Sequence, residues 1–471
     1  MKIATHLLLL WLLAAMVLIL TAGHAGNLLD PMYLLACLAI GLRALKKSPT
    51  RDYISFTLLL WMFSPFVRRL VDWQSGRHEF SLSLIAPLVV TLLAVFALRR
   101  NMTRVTFKTA LPFFIYLSIV VYGLLLGLAN GRGFAAIYAA ANWIAPIAFA
   151  LLILSNPDAN AQIRATMTRT LIGGAVVMSI YGAFQFIVAP PWDTAWMIGA
   201  KMASIGRPEP FAIRVFSTMN APGIFAVAVS SAFLLIFNKL SLRTVAAGAV
   251  MILGLALSLV RSSWGAVGIG IFLLMLIGDA RTKFRAIAII GLVGIAAIPL
   301  VMRAEFFETI SSRFETLSSI QDDRSLQDRA EFTNAMLENV GSLLVGGGLG
   351  SIGVASNLTQ SGDTLGVFDN GWLSLLFTFG FIGLFLAAIV LFWFFTLLRS
   401  IRTQPQTASM AVISIVKIAL MIFSNTLEGA TGMLLFPFLA CIIAAAGPRK
   451  SLRSQREFSR ATSHTQPKEM T

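Results

Sequence analysis

The sequence predicts an all-α fold: a polytopic transmembrane helix bundle of about 12–14 helices with a partly helical cap on its outer face. Hydrophobic residues make up 57% of the 471 residues and charged residues only 12%, whereas soluble globular domains carry about 25% charge. The apolar residues fall into long runs, as membrane-spanning helices require. The lysines and arginines concentrate in the connections on one side of those runs, which is typical of a multi-pass membrane protein.

Fourteen apolar runs are candidates for helices that cross about 30 Å of hydrocarbon. Pro65 and Pro146 predict kinks in the third and the sixth run. The first run, followed by Gly23-His24-Ala25, also fits a cleavable signal peptide; we favour an uncleaved helix, and cleavage would leave every later connection on the same side. The runs span residues 7–22, 28–45, 53–67, 82–98, 110–129, 135–154, 170–188, 220–237, 244–260, 264–279, 286–302, 370–398, 409–424 and 431–446.

The basic excess follows the predicted topology. If the N-terminus lies inside and the connections alternate, 24 of the 37 lysines and arginines fall inside and 12 outside, with Lys417 within a helix. The acidic residues divide the other way, 5 inside and 16 outside. Such an asymmetry is what the positive-inside rule demands. The formal charge of +16 therefore orients the chain and favours contact with anionic membrane lipid, and we expect no nucleic-acid partner.

Cysteine and histidine give no sign of a metal or disulfide framework. Cys37 and Cys441 both fall in predicted helices, so no disulfide is expected. The four histidines are dispersed along the chain, which argues against a histidine-based metal site. We expect no metal and no cofactor. The basic, polar tail at 447–471 is predicted to be disordered and cytoplasmic.

Two of the predicted outer connections are unusual in composition or in length. Residues 189–219 contain prolines, tryptophans and three cations, and residues 303–369 exceed the usual loop length. Within the longer one, apolar residues at helical spacing in 304–320 predict an amphipathic helix on the membrane surface. Residues 322–338 predict a second helix with aspartates at its N-cap, ending at a glycine-rich run. These two helices would form the cap.

Two arginines of the outer face are candidate anion-binding groups. Arg214 precedes the helix that starts near Asn220, where it could anchor the helix by snorkelling or bind phosphate oxygens through its rigid guanidinium fork. Arg261 falls where only the four residues 261–264 turn the chain between two apolar runs. A plain turn charge is one interpretation, but the positive-inside rule disfavours a cation there. A functional role is the other.

Further charged residues lie in the cap and in the C-terminal helices. Arg324 and Arg329 are five residues apart, which separates them by about 140° around a helix, so one of them, and we favour Arg329, could face a site. Lys417 is predicted near the middle of a helix, as a functional cation or one that snorkels. Glu428 is predicted in an outer hairpin, where it could pair with an arginine.

The glycine run 346–353 and the acid Asp369 complete the candidates. The run contains GxGxxG but no strand precedes it, so the nucleotide-binding interpretation is weak. A tight turn that lets the backbone approach a polar head group is favoured. Asp369, next to Asn370, stands at the mouth of a long apolar helix. It is either a helix cap or a general base whose pKa partial desolvation would raise.

These segments, in this order, resemble the O-antigen ligase/polymerase family of bacterial inner-membrane glycosyltransferases. The resemblance covers about 210–440. It rests on IRVFSTMNAPG around Arg214, on LSLVRSSWGAVG around Arg261, on Arg329 followed by an amphipathic helix and GGGLGS, and on DNGWLSLLFTFGFIGLF from Asp369.

The resemblance implies an undecaprenyl-pyrophosphate-linked oligosaccharide donor, a glycan acceptor, and metal-independent transfer at the periplasmic face of the cell inner membrane. It implies that Arg214 and Arg261 stabilise the pyrophosphate and that Asp369 is the base. Ligases of the family usually have His-Asn where this chain has Asp369-Asn370, which favours a polymerase. The expected substrate-binding residues are Arg324, Arg329, Asn370, Lys417 and Glu428.

The resemblance also implies a division of the chain. Residues 1–209 would be N-terminal transmembrane helices, and 210–446 the transmembrane core with periplasmic loop 303–369. We expect a polymerase of O-antigen or exopolysaccharide repeat units; a ligase that transfers glycan to lipid A-core or protein is the alternative. A lipid-oligosaccharide flippase or transporter should show more intramembrane charge and internal repeats. A flippase or a chain-length regulator would be the expected protein partners.

Overall fold

The computed structural model describes residues 2–47, 50–76, 81–101, 105–200, 205–301, 344–353, 355–356, 370–399 and 407–446. Within these ranges the regular elements are helices, and extended pairing is limited to one isolated bridge between Gly206 and Ile213. Both predicted cap helices, Asp369 and the tail lie outside the described residues.

Helices coincide with all fourteen predicted apolar runs, which confirms the all-α prediction. In chain order they are α1 (Lys2–Ala22), α2 (Gly26–Lys47), α3 (Thr50–Ser75), α4 (Leu82–Leu92), α5 (Ala94–Asn101), α6 (Phe107–Ala129), α7 (Gly133–Leu154), α8 (Asn160–Val188), α9 (Pro191–Ala200), α10 (Pro222–Leu235), α11 (Leu242–Leu257), α12 (Arg261–Ile277), α13 (Ala280–Val301), α14 (Gly371–Arg399), α15 (Ala408–Ala419), α16 (Gly429–Gly432) and α17 (Phe436–Ala446).

The length and hydropathy of these helices make the chain a multi-pass membrane protein. Six segments of the described chain have at least 18 residues and a strongly apolar composition, enough to cross a bilayer. Seven shorter apolar helices accompany them. The six are Gly26–Lys46, Arg51–Ser75, Thr109–Ala129, Gly133–Leu154, Pro157–Val188 and Gly429–Ala446.

Connections predicted on the same side of the membrane contact one another. On the predicted outer side, the side-chain amide of Gln74 donates to the Thr21 carbonyl over 2.5 Å. On the predicted inner side, Arg285 donates to the Asn238 carbonyl over 3.1 Å, and Ser409 bonds to the Asn238 side chain over 2.9 Å. The bundle therefore has two ends, each built from the connections that the alternation assigns to it.

Aromatic side chains fill the bundle between α6, α7, α14 and α17. Trp143 stacks on Tyr116 with ring centroids 5.9 Å apart and meets Phe379 edge to face at 5.1 Å. Tyr116 also meets Phe436 edge to face at 4.9 Å. Aromatic pairs of this geometry stabilise a core beyond the burial of their area. They fix α14 against the helices that precede the glycine run.

The glycine run lies inside the bundle, so the prediction that its backbone approaches a head group is wrong for the N–H groups. The N–H of Gly347 donates to the Phe377 carbonyl over 2.7 Å, and the N–H of Gly348 donates to the Thr378 carbonyl over 2.8 Å. Those two carbonyls can accept these bonds because α14 is interrupted at Gly380, whose φ of 66° is not helical. The glycine run thus satisfies the broken helix instead of a ligand.

Glycine is needed here because two backbones approach closely. A Cβ on Gly346 would lie 2.5 Å from the Gly380 nitrogen, and a Cβ on Gly380 would collide with the Leu344 carbonyl. Gly346 also has a φ of 84°, in the left-handed region that side chains disfavour. The two glycines therefore form a lock, a close backbone contact that holds the described residues 344–353 against α14.

Candidate functional site

The segment 205–221, here called the Arg214 segment, joins α9 to α10 and carries the first candidate arginine. Its first half folds back on itself: the N–H of Arg214 donates to the Ile205 carbonyl over 2.9 Å, and the N–H of Arg207 donates to the Ala212 carbonyl over 3.1 Å. These bonds satisfy backbone groups that would otherwise be buried without a partner. They fix the direction in which the Arg214 side chain leaves the segment.

Arg214 is partly buried and reaches the C-terminus of α11. Its Nε donates to the Ser258 carbonyl over 2.9 Å and its Nη2 donates to the Leu259 carbonyl over 3.2 Å. The last carbonyls of a helix lack intrahelical donors and carry partial negative charge, so a guanidinium there is favourable. Arg214 is thus held by defined hydrogen bonds within the protein and does not simply snorkel to water.

Arg261 begins α12, and the turn lies before it. The prediction that residues 261–264 turn the chain is wrong, because all four are helical. The reversal is made by residues 258–260, where Leu259 has a φ of 54°. A leucine is rarely left-handed, so nothing in the sequence marks this position. Trp264 then ties the new helix to the old one, with its Nε1 donating to the Leu255 carbonyl over 2.9 Å.

The structure therefore brings the two predicted arginines to one turn. Arg214 binds Ser258 and Leu259, and Arg261 follows two residues later at the first position of α12. The N-terminus of a helix attracts anions through its unpaired N–H groups and its dipole. In the same first turn, the Ser263 hydroxyl is buried and has no hydrogen-bond partner among the described residues.

Asn370 caps α14. Its Oδ1 accepts from the N–H of Trp372 over 3.0 Å and from that of Leu373 over 3.1 Å. These are the N2 and N3 donors that an N-cap side chain satisfies. The sequence assigned the possible capping role to Asp369, which lies outside the described residues, and substrate binding to Asn370. The structure gives the cap to Asn370, and its contact with substrate stays a prediction.

Glu428 lies beside the start of α14. Its carboxylate accepts from Nδ2 of Asn425 over 2.9 Å, and the same Nδ2 lies 3.3 Å from the Ser374 hydroxyl in the first turn of α14. Burial raises the pKa of Glu428 to about 7, although hydrogen bonds from Asn425 and Trp143 lower it. Asn425 thus connects Glu428 to the helix that Asp369 precedes. The predicted pairing of Glu428 with an arginine stays a prediction, since Arg324 and Arg329 lie outside the described residues.

A small apolar cavity of about 20 Å³, roughly the space of one water molecule, lies between the end of the Arg214 segment and α16. Met219 and Ile224 line it from the end of the Arg214 segment and the start of α10, and Ala430 and Thr431 line it from α16. The remaining lining comes from α3, α8, α10 and the turn after α16. The cavity is apolar, and neither of the two candidate arginines nor Glu428 is among the described residues that line it.

Lys417 lies in the last turn of α15 and is 1% exposed. Its Nζ is 3.4 Å from the Val227 carbonyl in α10, so the side chain points into the bundle and does not snorkel. None of its hydrogen bonds reaches the arginine turn. Contact of Lys417 with substrate stays a prediction.

Sequence reasoning missed a buried charged cluster next to the Arg214 segment. Arg69 was counted as an outer-loop charge, but α3 continues to Ser75 and buries Arg69 completely. Its Nη1 lies 3.2 Å from Oδ1 of Asp193 in α9, which is buried completely as well. The signal was present: Arg68, Arg69 and Asp72 continue the helical spacing past the apolar run.

Residues 246–388 match the family described as O-antigen ligase. The matched segment begins in α11 and ends in α14, so it contains Arg261, the glycine run and Asn370. Arg214 lies 32 residues before the match and Glu428 lies 40 residues after it. Arg214 bonds to Ser258 within the match, and Asn425 links Glu428 to Ser374 within it. A search of the curated proteins found no match. The family match confirms the resemblance seen in the sequence.

Proposed function

We propose that the protein polymerises carrier-linked glycan, since the match of residues 246–388 to the family described as O-antigen ligase indicates a glycosyl-transferring enzyme. The donor is an oligosaccharide repeat unit on undecaprenyl pyrophosphate, the acceptor is a second such unit, and the product is O-antigen or exopolysaccharide. Transfer takes place at the periplasmic face of the inner membrane. The observation that supports this most is the meeting of Arg214 with the turn that leads into Arg261.

The two arginines stabilise the leaving group. In the transfer, the bond between the donor sugar C1 and the phosphate oxygen breaks, and its electron pair remains on the pyrophosphate. Preorganised donors that face such developing charge lower the barrier without reorganising during the reaction. Arg214 is already held by two carbonyls, and Arg261 sits at a helix N-terminus. Both cations stabilise the additional negative charge that the pyrophosphate gains when this bond breaks.

The acceptor side is formed by the start of α14 and by Glu428. The acceptor hydroxyl oxygen bonds to C1 and its proton passes to a carboxylate. We assign that role to Asp369, which immediately precedes the cap residue Asn370, and assign acceptor binding to Glu428, with Asn425 orienting its carboxylate. Arg329, Arg324, Asn370 and Lys417 complete the proposed substrate contacts.

A ligase that transfers glycan to lipid A-core or protein is the second candidate, because the family match alone covers both reactions. The Asp369-Asn370 pair, where ligases of the family usually have His-Asn, favours the polymerase. A transporter of lipid-linked oligosaccharide is the candidate from another class. It would move the donor without forming a glycosidic bond.

One experiment separates the three candidates. The full-length protein is reconstituted in lipid nanodiscs with carrier-linked repeat units extracted from cells that lack it, with and without lipid A-core. A ladder of lengths without lipid A-core supports the polymerase. A single addition that requires lipid A-core supports the ligase. If glycan chains never lengthen or transfer while vesicle-reconstituted protein translocates the donor, the enzyme assignment is wrong.

A further inference from the structure

The buried pair of Arg69 and Asp193 belongs to a hydrogen-bonded network at the outer end of the bundle. Oδ2 of Asp193 accepts from Nε2 of Gln185 and from the hydroxyl of Tyr181, each over 2.7 Å. The Tyr181 hydroxyl in turn accepts from Nε1 of Trp192 over 2.7 Å. Gln185, like the ion pair, is completely buried. Helices α3, α8 and α9 each contribute to the network.

Such a network is costly to bury. Removing two charges from water carries a desolvation penalty that their attraction often fails to offset, so a buried pair is weak support for stability alone. Burial raises the pKa of Asp193, although Arg69, Gln185 and Tyr181 favour its charged form. The faces of Phe216 and Phe66 lie 4.8 and 5.5 Å from the Arg69 guanidinium and offset part of the penalty. A role beyond stability would explain why the pair is placed here.

The network forms hydrogen bonds with the backbone of the Arg214 segment at Ser217. The guanidinium of Arg69 donates from Nη2 to the Ser217 carbonyl. Oε1 of Gln185 accepts from the Ser217 N–H over 2.8 Å and from the Phe216 N–H over 3.1 Å. Both backbone polar groups of Ser217 are therefore held by side chains of the network, three residues from Arg214.

Ser217 needs this support because its backbone is strained. Its φ is 54°, a left-handed conformation that costs about 1 kcal/mol or more for a residue with a side chain and persists only where neighbouring groups determine it. The Ser217 hydroxyl also donates to the Met178 carbonyl over 2.5 Å. The next residue, Thr218, donates to the Met62 carbonyl over 2.7 Å. The segment is thus held by α3 and α8 together.

We infer that Arg69, Asp193 and Gln185 are positioning residues, which fix the strained turn at Ser217 so that the Arg214 guanidinium is held against the turn before Arg261. This inference rests on the proposed function, in which Arg214 stabilises the departing pyrophosphate. The three residues touch no reacting atom themselves. They act through the placement of Arg214, where a shift of about 1 Å costs up to about a hundredfold in rate.

The test is a double-variant cycle between Gln185 and Arg214. Gln185→Leu removes two hydrogen bonds at the turn and one to Asp193 while keeping a side chain of similar volume. We expect kcat for release of undecaprenyl pyrophosphate from carrier-linked repeat units to fall about ten- to hundredfold and the donor KM to change little. In an Arg214→Lys background, Gln185→Leu should cause almost no additional loss, because residues that act as one unit are not additive.

Asn160→Leu is the matched control. Asn160 lies at the other end of the same helix α8, is 5% exposed, and donates to the Cys441 carbonyl over 3.0 Å. It should lose stability as Gln185→Leu does, but keep kcat. If Gln185→Leu does not fold, Gln185→Met replaces it: methionine has the length of glutamine but no amide, so the same hydrogen bonds are lost and the same loss of kcat is expected.

Two outcomes separate this inference from the proposed function. If Arg214→Lys keeps full kcat, the role of Arg214 in the proposed function is wrong. If Arg214→Lys is impaired but Gln185→Leu and Gln185→Met keep the wild-type kcat, or their losses add fully to that of Arg214→Lys, the positioning inference is wrong and the proposed function stands.

Discussion

Nε of Arg214 donates to the carbonyl of Ser258 over 2.9 Å. This bond joins two segments that are 44 residues apart in the sequence and sets one candidate arginine beside the turn that presents the other. In the predicted topology, Arg214 and Arg261 lie in two different outer connections. With this bond, the Arg214 guanidinium lies against residues 258 and 259, two residues before Arg261.

The neighbours Asp369 and Asn370 should separate chemistry from folding. Asn370→Ala removes the cap of α14 and should lower stability by about 0.5–2 kcal/mol, seen as a lower melting temperature in detergent. Asp369→Asn should leave that temperature unchanged but lower polymer formation at least about a hundredfold, as expected for loss of a general base. Asn370→Ser, which can still cap, is the control. Full activity of folded Asp369→Asn would show that Asp369 is not the general base.

Glu428 should give the activity a titration near neutral pH. Its pKa is raised to about 7 by burial, so the carboxylate that we assign to acceptor binding is largely lost below that pH. The KM for the acceptor should rise as the pH falls from 8 to about 6. In Glu428→Gln this dependence should vanish, with a uniformly high acceptor KM. An acceptor KM that stays flat with pH in the wild type would exclude Glu428 from acceptor binding.

The raised pKa of Glu428 also affects stability. The ionised form, which we expect to favour acceptor binding, disfavours folding. The folded-state pKa of Glu428 lies above its ordinary value of 4.5, so burial of the ionised form costs free energy of folding. That cost is absent at low pH and grows as the pH rises from about 4.5 to about 7. Glu428→Gln should therefore be more stable than the wild type at pH 8, and the advantage should shrink towards pH 5. Differential scanning fluorimetry at both pH values measures it.

The lock between Gly346 and Gly380 should tolerate no side chain. Gly346→Ala adds a Cβ 2.5 Å from the Gly380 nitrogen at a φ of 84°, so the backbone must shift and stability should fall by several kcal/mol. Gly353→Ala is the matched control: its φ of 77° imposes a similar strain, but no atom of the described residues lies within 4 Å of the added Cβ. It should cost about 1 kcal/mol. Equal melting temperatures for the two variants would contradict the lock.

The proposed sidedness is open to direct labelling. Both native cysteines are buried and should not react with a membrane-impermeant maleimide. Glu209→Cys, on the exposed part of the Arg214 segment, should be labelled in cells whose outer membrane has been permeabilised. Leu242→Cys, 86% exposed at the start of α11, should be labelled only after the inner membrane is opened. The reverse pattern would place the candidate site in the cytoplasm.

The sequence was sufficient for the helices, and it singled out the charged residues on which the proposed site rests. Long apolar runs force helices in hydrocarbon because every backbone polar group must be satisfied internally. Arg214 and Arg261 stood out in the sequence because the predicted outer face has few cations. The contacts were not visible, since Arg69, Asp193 and Ser217 are distant in the chain and meet only when α3 and α9 pack.

Two local errors have a physical cause. The reversal before Arg261 uses a left-handed Leu259, whereas sequence patterns place turns at glycine, asparagine or charged residues. The glycine run was taken as a ligand-binding turn because its partner, the interruption of α14 at Gly380, lies in an apolar stretch that looks like one continuous helix. A glycine in the middle of such a stretch was the available sign.

In the proposed reaction, the guanidinium forks of Arg214 and Arg261 hold the departing pyrophosphate. The most direct test is the kcat of full-length Arg261→Lys in nanodiscs, measured as release of undecaprenyl pyrophosphate, with Arg207→Lys on the exposed part of the Arg214 segment as control. Lysine keeps the charge but lacks the fork. We predict a loss of about a hundredfold for Arg261→Lys and none for Arg207→Lys. Wild-type kcat and polymer length in folded Arg261→Lys would contradict the claim.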